Sequence, residues 1–263
     1  MRAVLTDVRR SFASPWAIVS LVFLASPFLY ASTFHYYSPA PVYRFADAVN
    51  GPLVIAYPVI AMLVFVAPFL AEWRHGFVRL TATRVEFSRY VRRKFAANAI
   101  AVFIVFALVG ALPAIWFLVV DPALALTDYP TASEYGGTIT SMQQFGRLTD
   151  LWLISPALYI TAYAVSSGLT GALLSSVGFL TLFLVRSRFL AIITPLLLFV
   201  VQAVVFFSQG WDLYTFYFAF EQFGVSPASD HTLVVPLALL AVIVAAQGLV
   251  LRARREPLVA AIA

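Results

Sequence analysis

The 263-residue chain contains no cysteine, which excludes disulfides, thiolate metal sites and a cysteine-linked lipid anchor. Charge is scarce as well. Only 11% of residues are charged, against roughly 25% in ordinary soluble domains. Lysine is the scarcest cation, and Lys94 is the only one. A phosphate-cradling P-loop needs a lysine directly after a glycine-rich turn. Lys94 sits instead in "YVRRKFAA", with no glycine near. The chain cannot grip ATP in that way, and any nucleotide-driven activity needs a second polypeptide.

Other chemistry is missing too. There is no HExxH helix for zinc, no glycine-flanked nucleophilic serine, and no histidine pair placed for haem. These gaps leave a membrane protease or redox enzyme little to work with. All twelve acids and all three histidines (His35, His75, His231) fall in loops or at the ends of the apolar runs. Proton-coupled carriers exchange protons on ionisable groups inside the membrane, so that class is disfavoured.

What the chain has in abundance is apolar sequence, 62% by composition. No soluble core could hide that much. Several nearly uncharged runs of about 20 residues are each long enough to cross the ~30 Å hydrocarbon layer. The sequence therefore predicts a single-domain, all-α integral membrane protein over residues 1–263, with six spans. These are expected at about 15–30, 51–71, 95–120, 159–184, 189–207 and 233–251, with residues 151–158 an interfacial lead-in to the fourth.

Cation placement orients the spans. If the N-terminus, loop 72–94, the turn "RSR" at 186–188 and the C-terminal tail share one side, that side carries fifteen of the seventeen basic residues. Only Arg44 and Arg147 remain opposite, together with eight of the twelve acids. Both termini are accordingly expected in the cytoplasm. A cleaved signal peptide is the competing reading of the first apolar run. Its length, Trp16 and the preceding segment argue against it. In 2–13, Leu5, Val8 and Phe12 recur at helical spacing, with Arg2, Arg9 and Arg10 available to lipid headgroups.

Seven cations crowd into "RHGFVRLTATRVEFSRYVRRK", residues 74–94. The positive-inside rule alone needs charge there but no particular order. A nucleic-acid surface is disfavoured, since the loop is short and tied to the bilayer at both ends. Thr83 and Glu86 fit a capping box, which predicts a helix that starts there and runs through Tyr90 and Lys94 into the third span. Before it, "GFVRLTA" reads as a brief amphipathic helix set off by Gly76.

In this order, "AEWRHGFVRLTATRVEFSRYVRRKF" resembles the first cytoplasmic loop of the type-2 family of ABC (ATP-binding-cassette) exporter permeases. Glu72, Gly76, Thr83, Tyr90 and Lys94 stand at places matching that family's loop. "DVRRSFASPWAI" resembles its amphipathic elbow helix, and "LFLVRSRFLAIITPLLL" its fourth-to-fifth-span connection. The likeness extends over essentially the whole length. Departures are Arg74 and His75 in place of the usual second acid, Phe77 where threonine is common, and Val85 where proline is frequent.

The resemblance implies a permease subunit whose short coupling helix, Phe77–Thr83, docks on a separate soluble ATPase. Glu72, Arg74, Gly76, Val78, Leu80, Arg84, Tyr90 and Lys94 would complete the coupling region. ATP and magnesium would be bound by that partner, with no cofactor on this chain, and a second permease would complete a homo- or heterodimer in the inner cell membrane. The resemblance also implies a re-entrant hairpin between spans five and six, within 208–232. A non-transport six-span scaffold and an ATP-independent channel or carrier are the alternatives.

In the fourth span, Ser167, Gly171 and Ser175 recur every four residues, as do Gly168, Ala172 and Ser176. Small residues at that spacing let helices approach closely, either inside one subunit or at a dimer seam. Asn98, Gln202 and Gln247 are polar groups in apolar surroundings. Helix–helix hydrogen bonding is the plain reading of all three, and lining of a substrate pathway the functional one. The aromatic stretches 33–45 and 211–224 read as interfacial elements. Residues 121–150 form an outer loop too short for a folded domain.

Overall fold

The computed structural model describes residues 2–33, 40–49, 52–75, 86–127, 148–185, 187–211, 214–216 and 231–253. Among these residues there is no strand. The helices are α1 (Arg2–Phe12), α2 (Pro15–Thr33), α3 (Pro41–Val49), α4 (Tyr57–Arg74), α5 (Phe87–Ile115), α6 (Thr149–Ile154), α7 (Pro156–Leu184), α8 (Arg188–Ser208) and α9 (His231–Ala253). A 3₁₀ turn, Pro52–Ala56, leads into α4. Among the described residues, six helical runs are long and apolar enough to cross a membrane.

Prolines punctuate these helices in two ways. Pro15 and Pro156 open α2 and α7, where a missing amide costs nothing. Pro27, Pro68, Pro113, Pro195 and Pro236 lie inside helices. Interior proline is tolerated in membrane helices because neighbouring groups satisfy the freed carbonyls.

The third run is longer than expected. Beyond α5 it continues through a widened π-helical turn, Trp116–Val120, and a last turn, Asp121–Leu124. The widened turn ends two residues before Pro122, which supplies no amide to the carbonyl four residues back and whose ring needs room there. The loop that follows therefore starts after Leu124 rather than at residue 121. Its described residues end at Thr127 and resume at Leu148.

The other end of this run corrects the capping box. The helix begins at Phe87, and Glu86 occupies the N-cap with extended backbone and no side-chain cap bond. Its carboxylate instead accepts from Ser88 Oγ at 2.7 Å. A helix start at Thr83 would have put Glu86 inside the first turn.

Packing centres on α7. Its spanning window is 83% buried, against 22% for α8 and 17% for α9. The most extensive interface joins α7 to α5, and glycine explains how close it is. A Cβ on Gly171 would sit 2.5 Å from Phe106 Cγ, and one on Gly168 would lie 2.8 Å from the Phe103 ring. Ser167, Ser175 and Ser176 are buried in the same stretch. The small-residue stripe thus serves packing within this chain.

A second apolar cluster closes the opposite end of the bundle. It gathers Phe45 and Val42 from α3, Phe117, and Tyr159 and Tyr163 from α7. The helix α3 falls in the stretch 33–45 and just beyond, where the sequence suggested only an interfacial aromatic segment.

Candidate functional site

The base of loop 72–94 is a buried ion cluster. Lys94, 3% exposed, extends Nζ to Asp7 Oδ1 at 3.0 Å and to Glu72 Oε2 at 2.7 Å. Arg93 Nε lies 2.9 Å from Asp7 Oδ2, as a charge contact rather than an aligned hydrogen bond. Lys94 Nζ is also 5.9 Å from the ring centre of Phe69 and 5.8 Å from that of Tyr90. Such distances allow cation–π attraction. A lone buried ammonium would be prohibitive, and two carboxylates with two ring faces offset its desolvation.

Three elements meet at this lysine. Asp7 comes from α1, Glu72 from the last turn of α4, and Lys94 from the start of α5. Nearby, Ser11 Oγ donates to the Val64 carbonyl. The buried face of α1 is therefore Asp7, Val8 and Ser11, while Leu5 is 56% exposed. Val8 joins the main core, with Val4 and Phe12 packed against it, so of the expected apolar trio only Leu5 turns away, and polar bonds reinforce the contact.

Glu72 and Lys94 are the two ends of the loop, so their contact closes its base. Aromatic rings floor the closure. Trp73 packs 5.7 Å from Phe69 and 5.5 Å from Phe183, and Phe87 lies 6.0 Å from Phe183. Arg188, at the start of α8, places its guanidinium carbon 6.0 Å from the centre of Trp73. Arg74 is exposed on the last turn of α4. Tyr90 and Lys94 are turned inward and buried. Gly76, Phe77, Val78, Leu80, Thr83 and Arg84 lie outside the described residues.

The isolated polar groups each have a structural partner. Asn98, fully buried, accepts from Ser175 Oγ at 2.8 Å, linking α5 to α7. Gln247 Nε2 donates to Thr181 Oγ1 at 3.0 Å, linking α9 to α7. Gln202 does something different. Its Nε2 donates to the Tyr214 carbonyl at 3.0 Å, and its Oε1 accepts from the Phe216 amide at 2.9 Å.

Those two bonds fix a reversal of the chain. α8 ends in a Schellman motif, with the Trp211 amide on the Phe206 carbonyl at 2.8 Å and the Gly210 amide on the Phe207 carbonyl at 3.2 Å. Gly210 has φ +70°, which is why a glycine stands there. The accompanying apolar contact is Phe206 against Trp211, 5.9 Å between ring centres. Phe216 is held level with Gln202, back along α8 from its end. That is about 9 Å below the helix end, at 1.5 Å per residue. Phe216 itself is fully buried.

Sequence reasoning missed a second ion pair, at the far end of the bundle. Arg44 on α3 reaches Asp121 Oδ2 at 3.1 Å, with the two side chains 5% and 2% exposed. The same guanidinium donates to Thr127 Oγ1 at 2.6 Å and to the Ala31 carbonyl at 3.3 Å, and it lies 5.1 Å from the Phe117 ring centre. Two signals were present in the sequence. Arg44 is a lone cation among aromatics, and Asp121 directly follows an apolar run.

Among the described residues, no group of three His, Cys, Asp or Glu side chains is placed to hold a metal ion. No family model, curated protein or solved structure matches the chain. The fold and its ion clusters define a helical bundle of six potentially membrane-crossing helices.

Proposed function

We propose that this chain is the membrane-spanning permease subunit of an ATP-driven exporter of the type-2 ABC kind, working with a separate soluble ATPase. The observation that carries the reading is the closed base of loop 72–94. The loop hangs from a Glu72–Lys94 bridge, and Lys94 lies in the first turns of a helical run of 38 residues. A docking loop must transmit displacement, and a short base fused to a long rigid helix suits that task. The buried lysine and Tyr90 act here by holding the base, leaving Phe77 and Leu80 as the apolar contacts offered to the ATPase.

The finer features follow in this reading. α1 is the elbow helix, lying along the cytoplasmic face, and both termini are cytoplasmic in the inner cell membrane. The stretch from Gly210 to Phe216 is the first limb of a re-entrant hairpin. An amphipathic or hydrophobic cargo such as a drug, peptide or lipid suits an interior that is mostly apolar and holds few charged groups. A second permease subunit completes the pathway.

The test is co-purification. An ATPase with a P-loop should bind the wild-type chain and hydrolyse ATP faster in its presence. Phe77→Asp with Leu80→Asp should abolish that stimulation while the protein still inserts. Unchanged stimulation in the double variant would remove the docking assignment. Substrate flux with no ATPase bound would favour an ATP-independent channel.

A further inference from the structure

Where the first turns of α5 meet the last turns of α7 and α9, the bundle leaves a crevice of about 650 Å³. Small-molecule sites run from roughly 300 to 1,000 Å³. Its walls are apolar, with Phe95 from α5, Leu180 from α7, and Val244 and Leu251 from α9. Arg92 and Arg252 stand at its rim, and both are exposed. Arg92 Nε donates to the Ser88 carbonyl at 3.3 Å, which fixes the root of its guanidinium beside the opening. Among the described residues, the one acid at the rim is Glu86, which takes a hydrogen bond from Ser88.

Gly248 shows that the space is built into the sequence. Glycine inside an apolar helix loses stability relative to alanine, so it needs a reason. Gly110, Gly168, Gly171 and Gly178 have one, since a Cβ on each would meet a neighbouring side chain at 3.1 Å or less. Gly248 has no such neighbour, with nothing within 4 Å of its Cβ position. Close packing does not require this glycine, and the crevice it lines supplies another reason for it.

The charge and the apolar walls together select the ligand. A small water-soluble anion would have no use for the walls, and an uncharged amphiphile would have none for two arginines. At this level of α9 apolar Leu251 gives way to Arg252, which is the depth of lipid headgroups. We infer that the crevice binds an anionic phospholipid of the adjoining leaflet, its phosphate between Arg92 and Arg252 and an acyl chain along Gly248 and Val244. Arginine suits this task because its planar fork pairs with phosphate oxygens. The inference holds whether or not the protein is an exporter.

The test uses the full chain in detergent, with phosphatidylglycerol and phosphatidylcholine of equal chain length as probes and native mass spectrometry as readout. The wild type should retain phosphatidylglycerol over phosphatidylcholine by roughly tenfold, the worth of one charge-assisted hydrogen bond. Arg92→Gln with Arg252→Gln should bring that ratio close to one. Gly248→Leu should reduce retention of both lipids, because its side chain enters the crevice without striking the helix's neighbours. Millimolar inorganic phosphate should leave the lipid bound. Equal retention of both lipids by the wild type, or full retention by Gly248→Leu, would overturn the inference. Displacement by phosphate would do the same, since headgroup charge alone would then carry binding. The arginine pair is exposed, so its double variant decides the matter even if Gly248→Leu does not fold.

Discussion

Lys94 and Asp7 are 87 residues apart in sequence and 3.0 Å apart in space. The only lysine of the chain thus fastens the N-terminal helix to the start of the third spanning helix. Removing one partner of a buried pair leaves an uncompensated charge, which costs about 3–5 kcal/mol. Lys94→Met should therefore lower the thermal aggregation midpoint in detergent markedly. Adding Asp7→Asn to it should recover part of the loss. A single variant as stable as the wild type would mean that the cluster contributes nothing.

The far ion pair should behave as a coupled unit. Arg44→Met and Asp121→Asn should each destabilise, and the double variant should do so by less than their sum. A coupling of about 1–3 kcal/mol is expected for residues in one network. Because both side chains are buried, the coupling should barely change between low and high salt. Strict additivity, or collapse of the coupling in salt, would contradict the geometry.

Two glycine-to-alanine changes should move stability in opposite directions. At Gly171 the new methyl meets Phe106 at 2.5 Å, and overpacking of that kind costs about 1–3 kcal/mol. At Gly248 the methyl enters open space, and better helix propensity should gain up to about 1 kcal/mol. Melting curves of the two variants, taken side by side, check both signs.

Gln202→Leu should free the returning segment while leaving α8 intact. It strips partners from the buried Phe216 amide and the Tyr214 carbonyl, at about 1–3 kcal/mol for each unsatisfied group. Hydrogen exchange should accelerate at Phe216, with little change along residues 190–200. Uniform acceleration along α8 would show that Gln202 supports the helix itself.

The six spans were legible because a run of about 20 apolar residues has few other uses. Their ends were less so. Nothing in "TRVE" shows that Glu86 would stop at the N-cap, since the same letters satisfy a capping box. The turn after α8 was readable in principle, as "FFSQGW" carries both the glycine and the apolar pair of a Schellman motif. The polar fastenings were hidden for a different reason. Asp7 sits in a basic segment and looks solvated, and only a lysine 87 positions away makes its burial tolerable. Local pattern carries no information about such a partner. For Gln202 the partners are backbone groups, which leave no mark in a sequence at all.

The two ion pairs also have a joint mechanical meaning. Lys94 and Asp121 belong to one continuous helical run and lie about 40 Å apart along it, at 1.5 Å per residue. The run is a beam clamped near both ends, so it cannot slide or spin as a free rod. Load applied at loop 72–94 must either break a clamp or bend the beam. The widened turn Trp116–Val120, next to the far clamp, is where its hydrogen-bond ladder is already irregular. Flexure should concentrate there, which would convert a push at one face into a tilt at the other.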